Sequence, residues 1–490
     1  MTQICVSLTE ETTAGLLARM EALTGIADMF EIRGDLVIDL DLLALLRARR
    51  RPLLFTCQPE SEGGRWRGDE ERRRLLLLEA VRRGFDYVDV EYRSGFLDVM
   101  VEKSGHGLVV SYHDLSGTPK DLDGLYTAMS DRGADVVKIA VTPKSIADVG
   151  RLLDFAGRVT KGGGPPVLPI ALGALGQVTR IVAGRYRAPF TFASAAEGAE
   201  SAPGQLPAER MADLYRVRDI SPATHVYAVV GSDVSRSLSP VIHNRAFEAR
   251  QLDAVYVPVQ AEALPPFIRA LPGLALSGFS VTRPYKTEIV PFMDELTDEA
   301  RAAGSVNTVV VTQGVLQGST SDGTGILAPL KKRVSLVGRG VVIVGAGGAA
   351  RAAALALHNN GAHVRVVARR PEKAAEVAQA VGCAHGSLEH LRDYPWDVLI
   401  NATPLGSHSA LEQTPAPAGA HRPGTVVVDM VYDPLETRFL REAQAAGCTI
   451  IDGLGMLIAQ AGVQFELWTG MEAPLDVMKS AAIFLAQEGE

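Results

Sequence analysis

Eight strand-length apolar runs recur along the first two hundred residues, and helix-length patterns separate most of them. The runs are residues 4–9, 29–35, 52–59, 87–92, 107–114, 136–143, 166–173 and 190–195, with helical patterns such as 69–83 and 121–132 between them. Strands alternating with helices need crossover connections, so they form a parallel sheet. Eight such units in this length predict an α/β fold that closes as a (β/α)8 TIM barrel. A helical stretch at 208–217 and Ser221-Pro222 follow, and a new strand starts at 225–230. The alternation then restarts, which predicts a boundary near residue 221.

The chain of 490 residues is 47% hydrophobic and 22% charged, with a net charge of −8. That length accommodates several cores. The acidic balance speaks against nucleic acid or an anionic membrane as the main partner, while local arginines can still hold small anions. Cys5, Cys57, Cys383 and Cys448 are scattered without metal-ligand spacing, and no histidine pair has zinc spacing. No resident metal is expected, and the cysteines fit a reducing compartment. Met1 leads directly into the first strand, and no apolar run is long enough to cross a bilayer. The expected location is the cytoplasm. The expected partners are small molecules, with the chain a monomer or homodimer.

Two lysines stand isolated among apolar residues, Lys138 in Val136-Val137-Lys138-Ile139-Ala140-Val141 and Lys286 in Val281-Thr282-Arg283-Pro284-Tyr285-Lys286. A buried ammonium is costly unless it is paired or loses its proton. One such lysine in each half predicts two active sites. In a barrel, functional residues gather at the C-terminal ends of the strands. The unusual polar residues of the first half fall there: Glu31 and Arg33, Gln58 and Glu62, His113 and Asp114, Lys138, Arg180, and Ser201 with Gln205.

Glu31-Ile32-Arg33, Glu62-Gly63-Gly64, Ser111-Tyr112-His113-Asp114, Lys138-Ile139-Ala140 and Ser201-Ala202-Pro203-Gly204-Gln205 follow one another in order. This series resembles the type I 3-dehydroquinate dehydratases over about residues 1–210. The resemblance implies that Lys138 forms an imine with the substrate ketone. It makes His113 the proton-transfer residue and Glu62 the carboxylate that orients it. Arg180 would grip the substrate carboxylate in a forked pair. Ser201 and Gln205 would complete recognition, with Glu31 and Arg33 near the hydroxyls. The amine must be neutral to attack, although a free lysine has a pKa of about 10.4. Burial among Val137, Ile139 and Val141 is expected to push it down. The family usually has an arginine where this chain has Gln58, which removes a positive charge without touching the imine chemistry.

In the second half, Val341-Val342-Ile343-Val344-Gly345-Ala346-Gly347-Gly348-Ala349-Ala350 reads as a strand, a glycine turn and a helix. Gly345, Gly347 and Ala350 fit G-x-G-x-x-A, where the chain approaches a pyrophosphate at a helix N-terminus. The next strand ends in Ala368-Arg369-Arg370 with no carboxylate for a ribose. Two guanidiniums suit a 2′-phosphate, so NADP is the expected cofactor of a Rossmann domain.

Ser237-Leu238-Ser239-Pro240, Val281 to Lys286, Ser305-Val306-Asn307-Thr308, Ser321-Asp322-Gly323, Asn401-Ala402-Thr403-Pro404, Asp429-Met430-Val431-Tyr432 and Asp452-Gly453-Leu454-Gly455-Met456 with Gln460 resemble shikimate dehydrogenase. The resemblance covers roughly 225–488 and implies NADP-dependent reduction of 3-dehydroshikimate to shikimate. Lys286 would donate the proton to the developing alkoxide, held by Asp322. Ser237 and Ser239 would bind the substrate carboxylate, and Thr282, Asn307 and Gln460 its hydroxyls, with Tyr432 placing the ring. Gly348, Thr403 and Gly453 would join the cofactor contacts. Ser280, Thr320-Ser321 and Arg370 depart from the family pattern.

Together the halves resemble the fused dehydroquinate dehydratase–shikimate dehydrogenases, in which the first product is the second substrate. The expected modules are residues 1–220, 221–330 with the helices of 456–490, and 331–455. A quinate dehydrogenase in the second module is one alternative, and retention of both Ser237 and Thr282 leans away from it. A ligand-sensing regulator on the same folds is another. It has no need of Lys138, His113, Lys286 and Asp322, all of which this chain keeps.

Overall fold

The computed structural model describes residues 1–488 apart from residue 418. The chain forms two compact units, Met1–Val226 with Asp253–Leu276, and Tyr227–Leu252 with Ser277–Glu490. Among the described residues no helix is long and apolar enough to cross a membrane.

The first unit carries β1 (Gln3–Leu8), β2 (Met29–Arg33), β3 (Leu53–Thr56), β4 (Tyr87–Glu91), β5 (Leu108–Asp114), β6 (Val136–Val141), β7 (Val167–Ala171) and β8 (Phe190–Ser194). They form one sheet in the order β7-β6-β5-β4-β3-β2-β1-β8, parallel throughout. The barrel expected from the alternation is therefore present and nearly closed. Its β7–β8 seam has no ladder and is filled by Leu168, Ile170, Phe190 and Phe192. Apart from the leading residues of β1 and β4 and the last of β5, every strand residue is buried, so the strands read as near-continuous apolar runs, as strands covered on both faces must.

The helix at 208–217 is shorter than the sequence pattern, a π-helical Arg210–Leu214 that ends where Arg216 turns left-handed at φ 47°. Beyond it lie β9 (His225–Gly231) and β10 (Ala254–Gln260), then the helix Leu264–Leu274. The sequence groups 253–276 with the 221–330 module, yet this segment packs with the barrel. Small residues make that fit possible. A Cβ on Gly150, in the barrel helix Ile146–Val159, would lie 2.5 Å from the Ala270 Cα, and one on Gly273 would lie 1.8 Å from the Gly150 carbonyl oxygen. Nothing larger than glycine lets the two backbones come so close.

The second unit contains two sheets. In one, β11 (Gly278–Val281) runs parallel to β9 and antiparallel to β13 (Thr308–Thr312). β13 pairs antiparallel with β14 (Val315–Ser319), which runs parallel to the short β12 (Glu295–Leu296). The final helix, Leu475–Glu488, packs on Ser239–Ala249.

The other sheet comprises β15 (Gly340–Val344), β16 (His363–Ala368), β17 (Ala384–Ser387), β18 (Val398–Asn401), β19 (Val426–Asp429) and β20 (Thr449–Ile451). Its order, β17-β16-β15-β18-β19-β20, is that of a doubly wound dinucleotide fold. Val341 and Ile343 enter one core while Val342 and Val344 enter another, as alternating side chains of a sheet covered on both faces must. Strand order reverses between β15 and β18, and ligands bind such sheets outside the strand ends at that crevice.

Candidate active sites

The barrel brings the sequence-predicted residues to its interior and C-terminal rim. On β5, His113 Nδ1 lies 2.9 Å from a Glu62 carboxylate oxygen, which also accepts the His113 backbone N–H at 3.3 Å. A carboxylate partner places the proton on Nδ1 and leaves Nε2 as the basic nitrogen. Burial pushes the His113 pKa below the ordinary histidine value, the Glu62 hydrogen bond pulls it back, and Lys138 pushes down again. Glu62 itself sits in a turn held from beneath, where the Gln58 side chain donates to the Glu62 carbonyl. Gln58 thus holds the loop by a neutral contact.

Lys138 is on β6 with 6% of its surface exposed. Its ammonium lies 2.9 Å from Asp89 Oδ2 and 4.7 Å from the Phe192 ring centre. This corrects the expectation of a depressed pKa. Burial does push the amine down, but the carboxylates of Asp89 and Glu31 push it up, and the balance lies above the ordinary lysine value. The resting enzyme therefore holds an ammonium.

Glu31 accepts hydrogen bonds from Ser7 Oγ and, at 2.9 Å, from Thr56 Oγ1. Arg33 is forked onto Asp35 at 2.9 and 2.7 Å. Gln205 Nε2 reaches Ser201 Oγ at 3.0 Å and Ser7 Oγ at 3.3 Å, while Gln205 Oε1 accepts the Ser201 N–H at 2.8 Å. Arg180 follows β7 on the short helix Gln177–Ile181, buried, with its Nε unpartnered and no salt bridge among the described residues. Burial brings its pKa down to about 10, against a pull from Glu31. A guanidinium kept so dry without a carboxylate is matched to an anion that arrives from outside. Ser111 Oγ, Ser194 Oγ and Asp89 Oδ1 are likewise buried without partners. Asp89, Asp35 and Ser7 are absent from the sequence-based set. The signal for Asp89 was available, a carboxylate inside the apolar β4 at the same inward alternation as Glu91.

In the second unit Lys286 Nζ lies 2.9 and 2.6 Å from the two Asp322 carboxylate oxygens. Asn307 Nδ2 donates to Asp322 Oδ1 at 2.8 Å, to Ser321 Oγ at 3.0 Å and to Gln460 Oε1 at 3.3 Å. Four of the expected residues thus form one network. Ser239 N–H lies 3.3 Å from Ser237 Oγ at the start of the helix Ser239–Ala249. Burial pushes the Tyr432 phenol up, while nearby Arg283 and a hydrogen bond with Ser237 pull it back. Thr282 follows β11 directly, its backbone N–H on the Val230 carbonyl.

The glycine turn stands against this network. A Cβ on Gly348 would come within 2.7 Å of both Lys286 Cβ and Ser305 Oγ. Gly345, at φ 122°, lies under Ala402 and Thr403, and a Cβ on Gly347 would meet open space. Ala350, in the first turn of the helix Gly348–Asn359, is fully buried, and that turn carries no acidic residue and no side-chain cap. Such an N-terminus fits a pyrophosphate. Thr403 is fixed by Asn401 Oδ1, which accepts from its N–H at 2.9 Å and its hydroxyl at 2.7 Å. Gly453 begins the helix Gly453–Thr469, where a Cβ would lie 2.5 Å from the Val431 carbonyl oxygen. Arg369 and Arg370 are exposed after β16 and make no salt bridge among the described residues. Their pair of free guanidiniums fits a 2′-phosphate. Among the described residues no three His, Cys, Asp or Glu side chains are placed to hold a metal ion.

Family models match in chain order. Type I 3-dehydroquinase covers residues 4–222, the shikimate dehydrogenase substrate binding domain 229–309, shikimate / quinate 5-dehydrogenase 328–430, and the shikimate 5′-dehydrogenase C-terminal domain 453–483. The chain is 36% identical over 480 residues to the chloroplastic bifunctional 3-dehydroquinate dehydratase/shikimate dehydrogenase of Arabidopsis thaliana, covering 92% of this chain and 79% of that one. It is 42% identical over 260 residues to the shikimate dehydrogenase (NADP(+)) of Pyrococcus abyssi, covering 53% of this chain and 97% of that one. The shikimate 5-dehydrogenase of Thermus thermophilus, solved in complex with NADP(H) and shikimate, superposes with a TM-score of 0.50 at 36% identity, covering 53% of this chain and 99% of that one.

Proposed function

The chain belongs to the bifunctional 3-dehydroquinate dehydratase/shikimate dehydrogenase family, and from that premise we propose that it dehydrates 3-dehydroquinate in the barrel and reduces the resulting 3-dehydroshikimate to shikimate with NADPH in the second unit. The two separate lysine sites carry this reading, Lys138 beside His113–Glu62 and Lys286 on Asp322. We place the modules at residues 1–220, 221–330 with 456–490, and 331–455, in keeping with the segments that the family models match.

In the barrel, Lys138 adds to the ketone and water leaves, giving a protonated imine that acidifies the neighbouring C–H. His113 Nε2 takes that proton and returns it to the departing hydroxyl, while Glu62 stabilises the imidazolium that forms between the two steps. Arg180 grips the substrate carboxylate, and Ser201, Gln205, Glu31 and Arg33 receive its hydroxyls.

In the second unit, bound NADPH supplies the hydride. Gly345, Gly347, Gly348 and Ala350 give the pyrophosphate its approach, Thr403 and Gly453 flank it, and Arg369 and Arg370 hold the 2′-phosphate. Lys286 gives its proton to the alkoxide as it develops, and Asp322 keeps the ammonium in place for that step. Ser237 and Ser239 hold the carboxylate, and Thr282, Asn307, Gln460 and Tyr432 hold the ring. All four cysteines are free, which fits work in a reducing cytoplasm.

Borohydride reduction in the presence of 3-dehydroquinate, followed by peptide mass mapping, is expected to yield an adduct on Lys138. Lys286→Ala is expected to abolish NADP-linked oxidation of shikimate and leave dehydration intact. A single substitution that removed both activities would overturn the two-site reading. Oxidation of quinate in preference to shikimate would instead reassign the second module.

A further inference from the structure

Lys138 rests with its ammonium 2.9 Å from the buried Asp89 carboxylate. On β5, its register partner is Ser111, while the register partner of Asp89 is Val109, two residues nearer the strand's beginning. Strands of a closed barrel tilt by about one residue per strand, so this offset across two strands brings Asp89 level with Lys138, in the inward-facing layer that also holds Glu31. Asp89 is 1% exposed, and among the described residues Lys138 is the one side chain that hydrogen-bonds its carboxylate. Its other oxygen, Oδ1, is buried and unpartnered. A purely structural ion pair in so dry a place is stable when the remaining lone pairs are satisfied, and leaving a buried acceptor open costs about 1–3 kcal/mol. The half-satisfied carboxylate beside a lysine that must leave it points to a role in the reaction.

We propose that Asp89 is the proton reservoir of imine formation, so that the proton needed to expel water comes from the enzyme's own Lys138–Asp89 pair and not from solvent. This rests on the imine reading above. The ammonium passes one proton to Asp89, and the freed lone pair forms the C–N bond while the carbonyl π electrons move to oxygen. A second proton crosses from nitrogen to that oxygen, giving a neutral carbinolamine. Asp89 then returns its proton to nitrogen, and nitrogen passes one on to the hydroxyl, which leaves as water with the C–O electron pair. Nitrogen's lone pair closes the C=N bond and one hydrogen stays on it. Ammonium plus ketone has become protonated imine plus water, and Asp89 is again a carboxylate. Hydrolysis of the product imine runs the same steps in reverse.

The titratable and charged groups that face Lys138 are Asp89 on β4, Glu31 and Arg33 on β2, Cys5 on β1 and His113 on β5. In Asp89→Asn the remaining influences leave burial less opposed, so the amine sheds its proton more readily. Its imine must then draw a proton from solvent.

The test measures proton uptake with an indicator dye during imine formation from 3-dehydroquinate, alongside rapid-quench borohydride trapping at Lys138. The wild-type enzyme is expected to take up no proton per adduct. At a pH where the Asp89→Asn amine has lost its proton, that variant is expected to take up one, and its trapping rate to fall roughly tenfold per pH unit as the pH rises further, the signature of an obligatory solvent acid. Asp89→Glu keeps a carboxylate and is expected to restore the wild-type stoichiometry at an altered rate. Stoichiometric uptake by the wild type would overturn the proposal even if the asparagine variant failed to fold. So would an asparagine variant with wild-type stoichiometry and pH dependence. A wild-type enzyme that gave no adduct on Lys138 would instead sink the imine reading itself.

Discussion

Asp322 is fully buried and receives the Lys286 ammonium on both of its oxygens, at 2.9 and 2.6 Å. Asn307 holds the same carboxylate at 2.8 Å, so the lysine is aimed by a group that cannot itself turn. Lys286→Met removes the proton donor proposed for the developing alkoxide. The kcat for shikimate oxidation is expected to fall by about 10²–10⁴, read from NADPH absorbance. Asp322→Asn keeps the shape and is expected to lower kcat while the KM for shikimate moves little. A variant with an intact kcat would remove Lys286 from proton transfer.

As the proposed base of the barrel reaction, His113 would set its pH dependence. A general base must be neutral, so activity is present above the histidine pKa and is lost as pH falls through it. Burial sets that pKa below the ordinary histidine value, and Glu62 opposes the shift. The acid limb of dehydration is therefore expected below the ordinary range of about 6.5. Glu62→Gln removes the opposing pull, so the limb should move lower still while kcat drops by about 10²–10³. Ultraviolet absorbance of the conjugated enone product follows both. An acid limb that rose in the variant would contradict this arrangement.

Arg369 and Arg370 are exposed, follow β16, and make no salt bridge among the described residues. Neither is locked in a close ion pair among the described residues, so their charge is available to a 2′-phosphate. Replacing both with serine is expected to raise the KM for NADP by about ten- to a hundredfold, roughly 1.4–2.8 kcal/mol, and to leave the KM for NAD nearly unchanged. Initial rates of shikimate oxidation with each cofactor give the ratio. Equal losses with both would assign the arginines to folding or to the shared pyrophosphate.

The strand pattern was readable because burial on both faces leaves runs with almost no polar interruption. The observed β5, Leu108–Asp114, and β6, Val136–Val141, fall within a residue or two of the expected 107–114 and 136–143. The glycine turn was readable for a related reason, since Gly345 at φ 122° admits no common alternative. Sequence order misled where charge met charge across strands. The apolar neighbours of Lys138 are adjacent in the chain, whereas Asp89 is 49 residues away and decides the amine's protonation. Asp35, which clamps Arg33, closes the expected strand 29–35, and nothing in that run marks it as the arginine's partner. The helix Leu264–Leu274 reads as an ordinary amphipathic element, and its close seat on the barrel depends on the small residues Ala270 and Gly273 meeting Gly150, which no periodicity singles out.

That seat is the last place where one substitution has a clear consequence. Gly273 approaches the Gly150 carbonyl so closely that an added Cβ would sit 1.8 Å from the oxygen, and a Cβ on Gly150 would sit 2.8 Å from both the Cβ and the carbonyl oxygen of Ala270. The obstructing atoms are mostly backbone, so no rotamer change relieves them and the helices must separate. Tyr186, whose hydroxyl donates to the Gly273 carbonyl at 3.1 Å, and Arg185, which donates to the Ala275 carbonyl at 3.1 Å, would lose register with them. Gly273→Val is expected to destabilise the first unit by about 1–3 kcal/mol, as overpacking of a close contact does. Scanning calorimetry should show the corresponding transition fall by several degrees, roughly 2–4 °C per kcal/mol for a domain of this size. Adduct formation at Lys138 should persist below that transition, because Lys138 lies on β6 inside the barrel and not on the two helices that meet at this seat. An unchanged melting profile would mean that the two helices part in solution and that the glycine pair does not hold them.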